Sequence, residues 1–139
     1  MNLRPHQMAA HDAIMNAVRA GRSAGLVSMP TGTGKTVLFT HVAKDLGWNT
    51  LVMVHRDELI HQTLRTFDEI WPESFKGVIK ADVNEYGRQV VVASVQSLHA
   101  RRLQKIPNHR FGLVVADEAH HAGGPTWAAV LDHLPARFI

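Results

Sequence analysis

Residues 29–36 have the residue types and spacing of a loop that binds phosphate. The segment reads Met29-Pro30-Thr31-Gly32-Thr33-Gly34-Lys35-Thr36. Gly32 and Gly34 let the backbone curl with its N–H groups pointing inward, and a following helix adds further donors to the same anion site. Lys35 can then reach the β- and γ-phosphates of a nucleotide, and the Thr36 hydroxyl group can ligate Mg²⁺. The spacing predicts a nucleoside triphosphate site, against the alternative of a Gly/Thr turn that binds nothing.

A second group of reactive residues follows the apolar run 112–116, which ends at Asp117 and Glu118. A buried strand would deliver Asp117 to the carboxyl edge of a sheet, where it can hold Mg²⁺ through the water shell of the ion. Glu118 can polarise an attacking water molecule, which suits hydrolysis better than transfer to an acceptor hydroxyl group. An isolated Asp-Glu pair is more often a solvated helix start. Its position after an apolar strand favours the hydrolytic interpretation.

Alternating helices and strands are predicted to position these two groups. Helical periodicity and stop signals predict helices over residues 5–20, 35–46, 95–104 and 125–134, and one that begins after Asp57 and ends by residue 70. Compact apolar runs predict strands over residues 25–29, 50–54, 78–80, 89–94 and 112–117. This alternation indicates an α/β fold with a mainly parallel sheet, right-handed crossovers and helices on both faces. Ligands bind at the carboxyl ends of the strands in such sheets.

Composition limits the class of protein without deciding its function. The chain has 139 residues, 45% of them hydrophobic, which is enough for one globular domain. It contains no cysteine, so disulfides, thiolate catalysis and cysteine-bound metals are excluded. No apolar run approaches the roughly 20 residues of a membrane span, and a cytoplasmic protein without a membrane partner is expected. The net charge of +3 permits contact with a polyanion but does not require it.

The order of the motifs along the whole chain resembles the first RecA-like motor domain of superfamily two helicases of the DEAH-box type. Segments 30–36 and 117–120 resemble motifs I and II of that family. Segment 4–7 is similar to the adenine-reading segment upstream of motif I. Segments 54–62 and 93–98 are similar to motif Ia and to the nucleic-acid-contacting motif that follows it. Motor subunits of restriction enzymes and repair helicases have the most similar pattern.

The resemblance implies a role for each matching residue. Within segment 4–7, which includes Arg4, the side-chain amide of Gln7 would read adenine. His120 would couple the nucleotide site to neighbouring motifs. The residues expected to contact the nucleic-acid backbone are Arg56, Ser94 and Gln96. ATP and Mg²⁺ are the implied cofactors and nucleic acid is the implied partner, with DNA favoured over RNA.

Two other functions remain open at this stage. One is a phosphate-loop NTPase or kinase that does not act on nucleic acid, and the other is a nucleotide-binding regulator without catalytic activity. The apolar residues that begin after Pro135 and stop at Ile139 resemble a strand cut at its start. Residues 1–139 are therefore expected to form a single N-terminal RecA-like domain that is incomplete before the motif III strand. A second RecA-like domain is expected in a longer chain.

Overall fold

The structure is a computed structural model that describes residues 3–21, 35–54, 58–80, 83–94, 97–98, 104–107 and 110–116. These residues form three helices and five strands. The helices are α1 (Pro5–Arg19), α2 (Lys35–Leu46) and α3 (Glu58–Ile70). The strands are β1 (Thr50–Val54), β2 (Lys76–Lys80), β3 (Val83–Asn84), β4 (Val90–Ser94) and β5 (Leu113–Ala116). In the described ranges, no helix is long and apolar enough to cross a membrane.

The strands form one sheet in the order β3-β2-β4-β1-β5. Strands β2, β4, β1 and β5 run parallel, whereas the short β3 is antiparallel to β2. Val54 lies opposite Ser94, and Met53 lies opposite Ala116. The four parallel strands therefore end together at one edge of the sheet.

Both faces of the four parallel strands are buried, so the side chains of these strands alternate between two hydrophobic clusters. The first cluster joins the sheet to α2 and α3, and α1 packs against it. Its fully or nearly fully buried members are Leu38, Val42, Ala43, Val52, Val54, Ile60, Phe67, Trp71, Val90, Val92 and Leu113. The second cluster, on the opposite face, contains Leu51, Met53, Ile79, Val91, Ala93, Leu98, Ile106, Phe111 and Val114. Burial on both faces explains why β1 and β4 are continuous apolar runs in the sequence.

The end of α2 fixes its direction relative to the sheet. Gly47 follows the helix with φ of +68°, and its N–H donates to the carbonyl oxygen of Ala43 at 2.9 Å. This left-handed conformation favours glycine and stops the helix. Only Trp48 and Asn49 then separate Gly47 from the first residue of β1. The 12-residue helix is about 18 Å long, close to the length of a five-residue strand, so its amino end lies at the carboxyl edge of the sheet.

Most of the predicted elements within the described ranges are confirmed. The bounds of α2 and β1 agree with the prediction, α1 ends one residue earlier than predicted, and the mainly parallel α/β fold class is confirmed. Strand β2 begins at Lys76 rather than at Val78, and β3 was not predicted. The prediction began β2 one residue after Gly77, because glycine is unfavourable in a strand. In the structure Gly77 lies within the strand, where a Cβ atom would be 2.6 Å from the carbonyl oxygen of Glu85. Glycine lowers strand propensity but is required at this close approach.

The helix predicted over residues 95–104 is wrong at the positions that the structure describes. Ser97 is part of a 3₁₀ turn, Leu98 has no regular structure and Gln104 lies in a turn. Leu98 is 1% exposed and packs in the second hydrophobic cluster with Ile106. Burial of single apolar side chains against the sheet outweighs the local helical preference of this segment. The strand predicted over residues 25–29, the Asp57 cap and the helix predicted over residues 125–134 lie outside the described residues.

Candidate nucleotide and nucleic-acid site

The amino end of α2 supplies the described part of the predicted phosphate loop. Lys35 and Thr36 are the first two residues of the helix and are half-buried. The first turn has no acidic residue, so the positive end of the helix dipole is not neutralised within it. Thr40 is fully buried and donates its hydroxyl hydrogen to the carbonyl oxygen of Thr36 at 2.6 Å. This helix end can accept an anion, because its first backbone N–H groups have no partner within the helix.

Ten of the predicted site residues lie outside the described part of the chain. They are Pro30, Thr31, Gly32, Thr33, Gly34, Arg56, Gln96, Asp117, Glu118 and His120. The strands that lead to several of them are described. Arg56 follows the end of β1 by two residues, Gln96 follows the end of β4 by two, and Asp117 is the next residue after β5. Since these three strands are neighbours with aligned ends, the segments that carry the predicted contacts leave the sheet at the same edge.

Gln7 forms part of the cap at the amino end of α1. Its side chain is 3% exposed, and its Oε1 atom accepts a hydrogen bond from the backbone N–H of Arg4 at 2.8 Å. Arg4 precedes Pro5, which occupies the first helical position, where the missing N–H of proline has no cost. The Arg4 side chain itself is exposed. The capping interaction holds the Gln7 amide group in one orientation, and its role in reading adenine stays a prediction.

Ser94 lies at the end of β4, where its hydroxyl group pairs with the hydroxyl group of Ser97. Its side chain is 1% exposed, and its Oγ atom is 2.6 Å from Oγ of Ser97. Ser97 is half-buried. A phosphate group that reached Ser94 would have to share this hydroxyl pair, so the predicted contact with the nucleic-acid backbone would involve Ser97 as well.

A side-chain contact joins α1 to α2. Nε2 of His11 lies 2.6 Å from Oδ2 of Asp45, and Nδ1 lies 3.3 Å from Oδ1 of Asp12. His11 is one helical turn beyond Gln7, and Asp45 is near the carboxyl end of the helix that begins at Lys35. The contact therefore ties the helix with the candidate adenine reader to the helix with the phosphate-loop lysine.

Sequence patterns did not single out Lys80 and His61. Lys80 is the last residue of β2, and its Nζ atom lies 3.5 Å from Nε2 of His61 on α3. Ile79 pairs with Ala93, which sets Lys80 level with Ser94 at the carboxyl edge. The position of a lysine at the end of a predicted strand was the available signal for this pair.

The fold is that of the RecA-like ATPase cores found in helicase-type motors. The SWI2/SNF2 ATPase core of Sulfolobus solfataricus in complex with double-stranded DNA matches with a TM-score of 0.76 at 16% identity, covering 99% of this chain and 31% of that chain. A nuclease-deletion mutant of the Type ISP restriction-modification enzyme LlaGI, in complex with a DNA substrate mimic, matches with a TM-score of 0.72 at 17% identity. That match covers 99% of this chain and 17% of the LlaGI chain.

The family model described as "Type III restriction enzyme, res subunit" matches residues 1–139, so the chain belongs to this family of superfamily two motor domains. A protein of Saccharomyces cerevisiae named as a candidate ATP-dependent helicase, IRC3, is 36% identical over 96% of this chain. The Type I restriction enzyme EcoKI endonuclease subunit of Escherichia coli is 32% identical over 86% of it. The chain spans 21% of the length of the first relative and 12% of the length of the second.

Proposed function

We propose that this chain is the ATP-binding domain of a nucleic-acid-dependent ATPase motor, a helicase or translocase that hydrolyses Mg·ATP. The observation that carries the proposal is the meeting of the amino end of α2 with the carboxyl ends of β1, β4 and β5 at one edge of the sheet. Ligands of parallel α/β sheets bind at this edge. DNA is the favoured nucleic acid, and a cytoplasmic location and a second RecA-like domain in a longer chain belong to the same proposal.

The nucleotide roles follow from the chemistry of the residues at this edge. Lys35 would neutralise charge on the β- and γ-phosphates. Thr36 and Asp117 would hold Mg²⁺, since hydroxyl and carboxylate oxygens are the ligands that this hard cation prefers. Mg²⁺, when bound, neutralises negative charge on the phosphates. The described half of the site offers the ion one oxygen ligand, the Thr36 hydroxyl group, and the absence of an acidic residue from the first turn of α2 leaves that end open to the phosphates.

The remaining roles concern water and nucleic acid. Glu118 would accept a proton from the attacking water, and His120 would relay the state of the nucleotide site to neighbouring segments. Arg56, Ser94 and Gln96 would contact the backbone of the nucleic acid at the same edge. Contacts of this kind fix the orientation of the nucleic acid without reading its sequence.

Replacing Gln7 with Glu is expected to reduce the preference for ATP over CTP while α1 stays folded. A glutamate keeps an oxygen atom that can accept the N–H of Arg4, but it has no amide hydrogen to donate to N7, an acceptor that adenine has and cytosine lacks. The ratio of the KM values for CTP and ATP should fall about 5- to 10-fold, the effect of one hydrogen bond of about 1 to 1.4 kcal/mol. Steady-state kinetics with both nucleotides measure this ratio.

The matched control is Gln89→Glu, because Gln89 precedes β4 at the opposite edge of the sheet. This variant should keep the preference of the unaltered chain. An unchanged preference in Gln7→Glu, with the helical circular dichroism of the unaltered chain, would show that the amide group does not read the base.

Binding of nucleic acid is expected to weaken steeply with salt and to show no sequence preference. Each phosphate neutralised by the protein contributes a slope of roughly 0.7 to 0.9 in log K against log salt, because counterions are released. Arg56→Ala should lower the slope by about that amount for one lost contact. Fluorescence titrations of the full natural chain with two unrelated oligonucleotides measure both properties.

Arg19→Ala provides the control for this titration, because Arg19 is exposed at the carboxyl end of α1, near Asp45 and the amino edge of the sheet. Its slope should equal that of the unaltered chain. Salt-independent binding, or a strong preference for one of the two sequences, would show that the residues at the carboxyl edge do not form a nucleic-acid surface.

A further inference from the structure

The two lysines of β2 have opposite electrostatic surroundings. Lys76, at the amino end of the strand, lies 3.1 Å from a carboxylate oxygen of Asp68 and donates to the carbonyl oxygen of Trp71 at 2.9 Å. Lys80, at the carboxyl end, has the imidazole of His61 as its neighbour at 3.5 Å. Within the described ranges, no carboxylate forms an ion pair with Lys80. The charge of Lys76 is neutralised within the fold, whereas the described neighbour of the Lys80 ammonium group is an imidazole ring.

The outer face of α3 has the same division of charge. His61 and Arg65 are exposed, one helical turn apart, at the fourth and eighth of the 13 residues of α3, which follows β1 and begins near the carboxyl edge. Asp68 and Glu69 are exposed in the half that ends near the amino edge. Among the exposed side chains of α3 that the structure describes, the basic ones therefore lie closer to the edge where the candidate nucleic-acid contacts leave the sheet, and the acidic ones lie farther from it. This arrangement favours an anionic ligand at the carboxyl edge.

Lys80 is also aligned with the candidate contacts already described. It is level with Ser94 on the neighbouring strand, and adjacent strands are about 4.8 Å apart. The Lys80 side chain is half-buried, so its position is partly fixed by packing and its ammonium group remains within reach of solvent. A phosphate group near Ser97 would therefore have a lysine one strand away.

We infer that Lys80, supported by His61, binds a backbone phosphate and extends the nucleic-acid surface outward from β4 to β2. The inference rests on the proposed function, because it requires a nucleic acid along the carboxyl edge. The ligand chemistry is a phosphodiester, which Lys80 would recognise as a point charge without regard to base sequence. His61 would donate a further hydrogen bond to the same phosphate.

The experiment is a salt titration of oligonucleotide binding by the full natural chain and its Lys80→Gln, Lys80→Arg and Lys44→Gln variants. Lys80→Gln is expected to weaken binding and to lower the slope of log K against log salt by about 0.7 to 0.9, the effect of one lost phosphate contact. Lys80→Arg, which keeps the charge, should restore the slope. Lys44→Gln makes the same chemical change on an exposed residue near the carboxyl end of α2 and should behave like the unaltered chain.

The outcomes separate this inference from the proposed function. Normal, salt-dependent binding by the unaltered chain together with an unchanged slope in Lys80→Gln would overturn the role of Lys80 alone. A lack of salt-dependent binding by the unaltered chain would overturn the proposed function and this inference together. Thermal unfolding and ATP turnover without nucleic acid should be the same in Lys80→Gln and the unaltered chain. A lower slope seen only with loss of the folded state, and not restored in Lys80→Arg, would also count against the contact.

Discussion

Lys35→Ala is expected to abolish tight binding of Mg·ATP. The lysine is half-buried at the positive end of α2, where its charge would face the β- and γ-phosphates. Removing one partner of a desolvated charge pair costs about 2 to 5 kcal/mol, which raises Kd roughly 30- to 5,000-fold. Equilibrium titration of the full natural chain with a fluorescent ATP analogue in the presence of Mg²⁺ measures this change.

Lys44→Ala on the same helix provides the control. Lys44 is exposed near the carboxyl end of α2 and donates to the carbonyl oxygen of Ile70 at 3.1 Å, so its removal affects packing between helices rather than phosphate. Its Kd for the nucleotide should equal that of the unaltered chain. Tight nucleotide binding by Lys35→Ala would mean that the amino end of α2 is not the phosphate site.

Glu118→Gln is expected to keep nucleotide binding and to lose hydrolysis. Glutamine has nearly the shape of glutamate and can still hydrogen-bond to water, but it cannot accept a proton from it at neutral pH. General-base catalysis contributes about 10²- to 10⁴-fold to a rate, so kcat should fall by that factor while Kd changes little. Phosphate release and nucleotide titration on the same preparation separate the two effects.

Glu73→Gln is the matched control for Glu118→Gln, because it makes the same chemical change at a residue exposed in the turn after α3. It should leave kcat unaltered. Turnover by Glu118→Gln at the rate of the unaltered chain would remove the water-activating role from Glu118, whatever the outcome for Lys35.

The parts of the fold that could be predicted from sequence are those where local signals and burial agree. Helix α2 has helical spacing and a glycine stop at Gly47, and β1 is buried on both faces, so the bounds of both elements follow from sequence. Strand β3 has only two residues and depends on pairing with β2, which no local pattern reveals. Leu98 lies in a segment whose sequence has helical periodicity, but its burial against the sheet is a tertiary effect.

In the candidate site, too, local sequence patterns predict some features, and others depend on tertiary contacts. Motif spacing predicted Lys35 and Thr36 as phosphate-site residues and placed them correctly at the start of a helix, because a phosphate loop needs a fixed order of residues beside a helix start. It could not reveal that Gln7 also caps α1, or that the hydroxyl group of Ser94 pairs with that of Ser97, since both facts depend on contacts outside the motif pattern. The pairing of Lys80 with His61 depends on how β2 and α3 pack, and those residues are 19 positions apart.

Phosphate release from ATP by the full natural chain, measured with and without DNA and with RNA, tests the central claim most directly. The proposed motor should hydrolyse ATP slowly by itself and faster when nucleic acid is added, with DNA more effective than RNA. Glu118→Gln should be inactive under all three conditions. Brisk phosphate release at the same rate with and without either nucleic acid would contradict the account and would favour a phosphate-loop enzyme that does not act on nucleic acid.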